Sequence, residues 1–578
     1  EMFRNAIYFN QDISYWNVSN VENMRQMFQN AQAFNRDIDS WNVQGVENMS
    51  SMFQDAISFN GNIGSWNVHQ VNDMSSMFQD ASIFNQDINS WNVHQVNDMS
   101  MMFNSARAFN GDISSWNVHQ VNDMSQMFMH ADAFNKNISN WNVHNVRNMS
   151  QMFQGATDFN QYIGAWNVEK VSDMSQMFMG ATVFNQNLSS WNIHNVASAS
   201  NIFDNKGLGN SYGSNDNSTA IWDSWASVDR INSNNVTAVG HVMNSLGVKD
   251  LSNQFSYSTF NQNVATWDVS EITDMSGMFN QATSFNQDIS GWDVSEVVDM
   301  TSMFQNANLF NYNIGGWNVS KVTDMNKMFY NANKFNQNIA KWNVYAVTDM
   351  TEMFDNSSLP NSILARDIFY KWVQERSTSN NINALGHALT SLEVKDLSEL
   401  FNSQEKFNLD IGQWNVELVT NMPRMFRNAS IFDKDISSWN VNNVQNMTEM
   451  FRGARNFNQN IHTWNVNSVT NMSDMFQHAR SFNQNIGTWN VNAVTKMHQM
   501  FTGASELVGT VFGKNIFYAW VRKTNNHDNA QALGDVLTSL EVKNLSGLLE
   551  NLDFNFNISQ WDVREVTNMN NMFYNANQ

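Results

Sequence analysis

His69, His94, His119 and His144 stand 25 residues apart, each three positions after a tryptophan. Imidazoles in a row could ligate zinc or act as a pH-sensitive ladder. Zinc needs ligands converging in three dimensions with outer support, and periodicity alone does not supply that. The same place carries Ser19, Gln44, Ser270 and Asn492 elsewhere, so a solvent-facing polar ladder is the favoured reading. A second set is acidic. Asp73, Asp98 and Asp123 belong to a column with Asn23, Asn48, Asn148 and Asp173, and a parallel column holds Asp12, Asp37, Asn62, Asp87, Asp112 and Asn137. Calcium wants six to eight convergent oxygens. The favoured reading is that these side chains bond the turn backbone, with calcium at Asp73, Asp98 and Asp123 as the alternative. No other cofactor is expected. Paired carboxylates, a nucleophile motif and a phosphate loop are not found outside the repeat. Asp229, Arg230 and His241 do not recur as a set, since Gly240-His241 becomes Gly534-Asp535. An enzyme is not expected.

These residues are positioned by a repeat. Trp16, Trp41, Trp66, Trp91, Trp116, Trp141, Trp166 and Trp191 are spaced by 25, and the step resumes at Trp267 and Trp414. Each unit repeats Trp-Asn-Val, an Asp or Asn before Met, then Met-Phe, Ala and Phe-Asn. Coils of one length are what stacking on identical neighbours requires. A larger period of 147 separates Trp267, Trp414 and Trp561. Each larger block ends in a different segment, marked by Trp225, Trp372 and Trp520 and then by Gly240, Gly386 and Gly534. The organisation expected is regular repeats over 1–203, 261–354 and 408–502, modified helical segments over 204–260, 355–407 and 503–555, and the start of a further block over 556–578, all in one continuous solenoid.

Met24, Met27, Phe28, Ala31 and Phe34 follow helical spacing, while residues 38–43 are β-branched and aromatic enough for a short strand. The fold class expected is therefore an α/β solenoid like a leucine-rich repeat, with a parallel sheet on one side and short helices on the other. The Trp column (Trp16, Trp41, Trp66, Trp91) and the Phe column (Phe34, Phe59, Phe84) read as a buried spine rather than a sugar-binding platform. Asn35, Asn60 and Asn85 read as an inward ladder bonding adjacent coils. Asn217 and Asn235 are the better placed of the N-x-S/T sequons for glycosylation.

Composition agrees with repetition. The 578 residues include 37 Met, 41 Phe, 21 Trp, 2 Pro and no Cys, which excludes disulfides, iron–sulfur ligation and thiolate zinc. The net charge of −22 argues against nucleic acid and anionic membrane surfaces. No run of 18 apolar residues occurs, so no membrane span is expected in this fragment. Both ends fall inside a repeat, which reads as part of a longer chain.

The unit as written at Trp292-Asp293-Val294-Ser295-Glu296-Val297-Val298-Asp299-Met300 and Phe285-Asn286-Gln287-Asp288-Ile289 resembles the repeats of BspA-like leucine-rich-repeat surface proteins. The resemblance implies an extracellular or cell-surface location and roles in adhesion or architecture, with no catalytic residues to carry over. The function expected is a non-catalytic structural protein forming fibres or a surface layer by end-to-end stacking of copies of the chain. The alternative is an adhesin or receptor-like module gripping a protein or glycan on a concave sheet face.

Overall fold

The computed structural model describes residues 1–203, 216–524 and 526–576. The first modified segment, expected over 204–260, lies outside the described residues as far as 215. The chain divides into two compact units, Glu1–Ile272 with Gln287–Asp293, and Thr273–Asn286 with Val294–Gln578. Both are built on the same coil.

The coil contains neither the expected helix nor the expected strand, so the α/β architecture with a parallel sheet and flanking helices is overturned. Met49, Met52, Phe53, Ala56 and Phe59 sit on a succession of tight turns. Met52 N–H donates to Met49 C=O, Gln54 to Ser51, Ala56 to Phe53 and Phe59 to Ala56, at 2.9–3.2 Å. The intervening N–H groups leave the coil. Those of Met49, Ser51, Phe53 and Asp55 donate to the carbonyls of Asp73, Ser75, Met77 and Gln79 on the next coil, at 2.8–3.0 Å. A helix would consume these donors internally. Positive φ at Ser51 (56°) and Asp55 (59°) blocks it, because a right-handed helix cannot pass through a left-handed residue. Residues 38–43 likewise turn, with Trp41 N–H donating to Ile38 C=O. Extended pairing in the regular coils is reduced to isolated parallel bridges, one residue per coil, at Asn48↔Asp73, Asp73↔Asp98 and their equivalents.

The left-handed positions recur in two columns. Asn30, Asp55, Asp80, His130, Gly155 and Gly180 form one, made largely of residues that tolerate positive φ. The other contains Gln26, Ser51, Met101 and Gln151, each of which costs about 1–2 kcal/mol in that conformation. The cross-coil hydrogen bonds and the aromatic interior offset this cost. Trp41 and Trp66 stack 6.5 Å apart at 3°, Phe28 and Phe53 5.5 Å apart at 2°, and Phe34 and Phe59 5.8 Å apart at 5°. Each stack adds about 0.5–1.5 kcal/mol to the burial of the rings.

Six helices interrupt the coils among the described residues: α1 Asp216–Trp225, α2 Val236–Ser245, α3 Leu364–Arg376, α4 Ile382–Ser391, α5 Val511–Lys523 and α6 His527–Ser539. Here the periodicity is genuinely helical. Ala365, Ile368, Phe369, Trp372 and Val373 of α3 are buried along one stripe. The first helix of each pair continues the Trp column. Trp225 stacks 6.2 Å from Trp191 and Trp520 stacks 6.4 Å from Trp489. The second helix receives the Trp that opens the following block, and a glycine makes room for it. A Cβ at Gly240, Gly386 or Gly534 would meet the ring of Trp267, Trp414 or Trp561 at 2.6–2.8 Å.

Gly386→Ala is expected to destabilise the chain by about 1–3 kcal/mol through overpacking against Trp414. Gly291→Ala, with nothing within 4 Å of the added carbon, should leave a urea melt unchanged. Equal midpoints for the two variants would refute this account of the helical glycines.

Candidate functional site

The polar columns are absorbed by the turns. Oδ1 of Asp73, Asp98 and Asp123 accepts the N–H of Ser75, Ser100 and Ser125 at 2.8–2.9 Å. Asn48 Nδ2 donates to Asp73 Oδ2 at 3.0 Å and Asn148 Nδ2 to Asp123 Oδ2 at 3.3 Å. An amide thus stands at each end of the Asp73–Asp98–Asp123 run and supplies a donor to the carboxylate beside it. The three carboxylates lie one per coil, and among the described residues no three His, Asp or Glu side chains converge as a metal site. In the parallel column, the backbone N–H and hydroxyl of Ser114 hold the Asp112 carboxyl below its ordinary range. Ser14 does the same for Asp12.

The histidines also turn to their own surroundings. Nδ1 of His69, His94 and His119 lies 3.0 Å from Oδ1 of Asn67, Asn92 and Asn117. His144 Nδ1 meets Asn167 Nδ2 at 3.2 Å. The structure does not bring these rings together around a common point.

Asn35, Asn60 and Asn85 form a ladder on the outside of the coil. Asn60 N–H donates to Asn35 Oδ1 at 2.8 Å, Asn85 N–H to Asn60 Oδ1 at 2.9 Å and Asn110 N–H to Asn85 Oδ1 at 2.8 Å. Asn35 and Asn85 are exposed, so the inward placement expected for them is corrected. The ladder works at the surface because an amide oxygen can reach sideways to the next backbone. Trp41, Trp66 and Trp91 are 2–3 % exposed, whereas Trp16 is 38 % exposed. Phe34, Phe59 and Phe84 are fully buried. The indole N–H of Trp41, Trp66 and Trp91 donates to the carbonyls of Ile13, Ile38 and Ile63 at 3.0–3.1 Å, so the ring is pinned as well as packed.

Of the sequons, Asn235 is fully buried. Its Nδ2 donates to Arg230 C=O at 2.8 Å, and its Oδ1 accepts Asn232 N–H at 2.8 Å. A glycan there would break both bonds. Asn381 and Asn529 hold the equivalent buried places. Asn217 Nδ2 lies 3.2 Å from both Asn185 oxygens.

One cluster escapes a motif search. Glu399, Arg424 and Glu449 occupy a left-handed column on three successive coils. Arg424 Nη1 lies 3.1 Å from Glu399 Oε1, and its Nε lies 3.1 Å from Glu449 Oε1. Arg427 and Arg452 reach Glu449 Oε2 at 3.2 and 3.0 Å. The Glu449 side chain is 9 % exposed. Burial alone would raise its pKa. Hydrogen bonds from Arg424 and Arg452, with the charges of Arg427 and Arg424, outweigh burial and lower it. The signal was present as alternating charge at 25-residue spacing, legible only once the coils are aligned.

Fold and site together define a tandem-repeat protein whose polar columns close turns within each coil and bond one coil to the next. The chain belongs to the DUF285 family, described as a Mycoplasma protein of unknown function, which matches residues 1–116, 36–139, 110–217, 249–366, 377–462, 395–514 and 515–578. No curated protein matches the chain. Among the described residues no helix is long and apolar enough to cross a membrane.

The Glu449 cluster sets an acid limb. Its lowered folded pKa means that its stabilisation is complete above the ordinary value of 4.5 and is lost as pH falls through the folded value. Glu449→Gln should cost about 2 kcal/mol at neutral pH. The gap to the unmodified chain should narrow below pH 4.5. Denaturant midpoints measured across pH check this, and a constant gap would refute it.

Proposed function

We propose that this chain is a non-catalytic structural repeat protein of the cell exterior that associates with copies of itself through the faces of its coils. The observation that carries the reading is where the donors and acceptors are spent. Four backbone N–H groups per regular coil, at Met49, Ser51, Phe53 and Asp55 in one example, point along the stack to the next coil. The Asn35–Asn60–Asn85 ladder adds a rung between the same coils with the donor reversed, each Asn N–H reaching back to the amide oxygen of the preceding coil. An interface made of identical rungs is self-complementary by translation, and heterologous contacts of that kind extend into open filaments. The resemblance of the Trp-Asp-Val-Ser repeat to BspA-like surface proteins favours the extracellular or cell-surface location.

Two further considerations favour architecture over catalysis or recognition. The Asp, His and Asn columns are engaged by backbone and amide partners in their own or neighbouring coils, so no convergent catalytic set is offered by them. The concave sheet face on which a protein or glycan ligand was expected to lie does not form, because the coils turn where strands were expected. That mode of binding is withdrawn.

Sedimentation velocity of the chain over rising concentration, with electron micrographs of the same samples, tests the assembly. The expected result is a concentration-dependent series of elongated species. A monomer at every concentration would refute it. Labelling of intact cells with a membrane-impermeant amine reagent tests the location, and an unlabelled chain in intact cells that labels after lysis would place it inside.

A further inference from the structure

In the regular coils the backbone satisfies the carbonyls of each new coil: Met24 N–H reaches Asn48 C=O and Gln26 N–H reaches Ser50 C=O, at 2.9 and 3.0 Å. A helix keeps its N–H groups for itself. The coil that follows a helical pair therefore presents carbonyls that no backbone N–H of the helices reaches, and side chains or solvent must meet them.

In the second and third segments tyrosine and arginine meet this need. Tyr370 OH donates to Ser398 C=O at 2.6 Å and to Asp396 C=O at 3.3 Å. The Arg366 guanidinium lies 4.0 Å over the Tyr370 ring. Tyr518 OH donates to Asn544 and Ser546 C=O at 3.0 and 2.9 Å, with Lys514 4.7 Å over its ring. Burial pushes the Tyr370 hydroxyl up to about 12, so it remains a donor at any physiological pH.

The first segment lacks this device. Counted back from Trp225, the place of Tyr370 and Tyr518 is taken by Asp223, and that of Arg366 and Lys514 by Thr219. A carboxylate accepts and cannot donate. The carbonyls of Asp250 and Ser252, which hold the places of Asp396 and Ser398, lose the phenol donor. The space opens as a cleft of about 750 Å³ lined by Thr219, Asp223, Asp250 and Ser252, with Trp222, Leu246 and Val248 as its apolar wall. Ser218 Oγ, also lining the cleft, is buried with no hydrogen-bond partner. Among the described lining residues the one cation is Lys249, 3.8 Å from Glu271.

We propose that this cleft binds a small aromatic amine that replaces the missing tyrosine and its cation. A phenolic hydroxyl donates to the carbonyls of Asp250 and Ser252, the ring lies against Trp222 and Val248, and an ammonium group meets the carboxylates of Asp223 and Asp250. A ligand that brings a hydroxyl donor to the Asp250 and Ser252 carbonyls and a cation to the Asp223 and Asp250 carboxylates is favoured over one that covers these acceptors without pairing them.

Tyramine is the probe, titrated calorimetrically into the whole chain. One saturable site with a millimolar or tighter Kd is expected. Phenethylamine, which lacks the hydroxyl, should bind roughly tenfold more weakly. Thr219→Arg with Asp223→Tyr rebuilds the tyrosine device and should abolish binding while raising the melting temperature. Arg366→Thr with Tyr370→Asp should create a second equivalent site. No saturable binding of tyramine at millimolar concentration, equal affinity for phenethylamine, or unchanged affinity after the Thr219 and Asp223 substitutions would each overturn the proposal.

Discussion

The backbone hydrogen bond donated from one coil to the next is the constraint on which this structure depends. It joins residues 24 apart, as in Met49 to Asp73 and Ser51 to Ser75. A residue inserted between rungs would misalign those beyond it, so the regular coils hold a length of 25, while the coil after α6 is one residue shorter outside its rungs and keeps Leu545 to Asn568 and Gly547 to Asn570. The left-handed residues follow too, since the chain must turn every few residues to aim alternate N–H groups outward. The aromatic columns follow as well. Once the backbone of each coil is superposed on the last, the same side chain recurs above itself, and flat rings are the shapes that stack at that spacing without voids.

The helical pairs show what happens when this constraint is relaxed. A helix cannot donate sideways, so side chains must take over. Trp225 and Trp372 keep the indole-to-carbonyl bond of the Trp column through Leu188 and Ile339. Buried Asn235, Asn381 and Asn529 tie the start of the second helix of each pair to the preceding coil through the carbonyls of Ile193, Val344 and Val491. Tyr370 and Tyr518 serve the coil that follows. Each of these residues is a polar group buried or half-buried with a named partner, as a low-dielectric surrounding demands.

Much of the candidate site was legible in the sequence as columns, because a residue type held at fixed spacing must face a fixed neighbour. The Asx-type bonding of Asp73, Asp98 and Asp123 could be anticipated from short carboxylates beside serine. The outward face of Asn35 could not, since an amide bonds backbone equally well from inside or outside a corner. The Glu449 cluster was missed because Glu399, Arg424 and Glu449 interrupt columns that elsewhere hold Gln or Ser, so a consensus hides them. The Asp223 cleft needed both an alignment of the three segments and the hydrogen bonds of Tyr370 and Tyr518 to give the difference meaning.

Sequence alone determined the repeat length, the larger period of 147, the aromatic interior and the positions of the helical segments. These rest on spacing and on residue type, which are properties of the chain. Tertiary structure decided the local conformation of the coil. Met24, Met27, Phe28, Ala31 and Phe34 fit a helix and a run of three-residue turns equally well, since both bring every third or fourth side chain to one side. Only the neighbouring coil, by offering carbonyls to the alternate N–H groups, makes the turns the lower state.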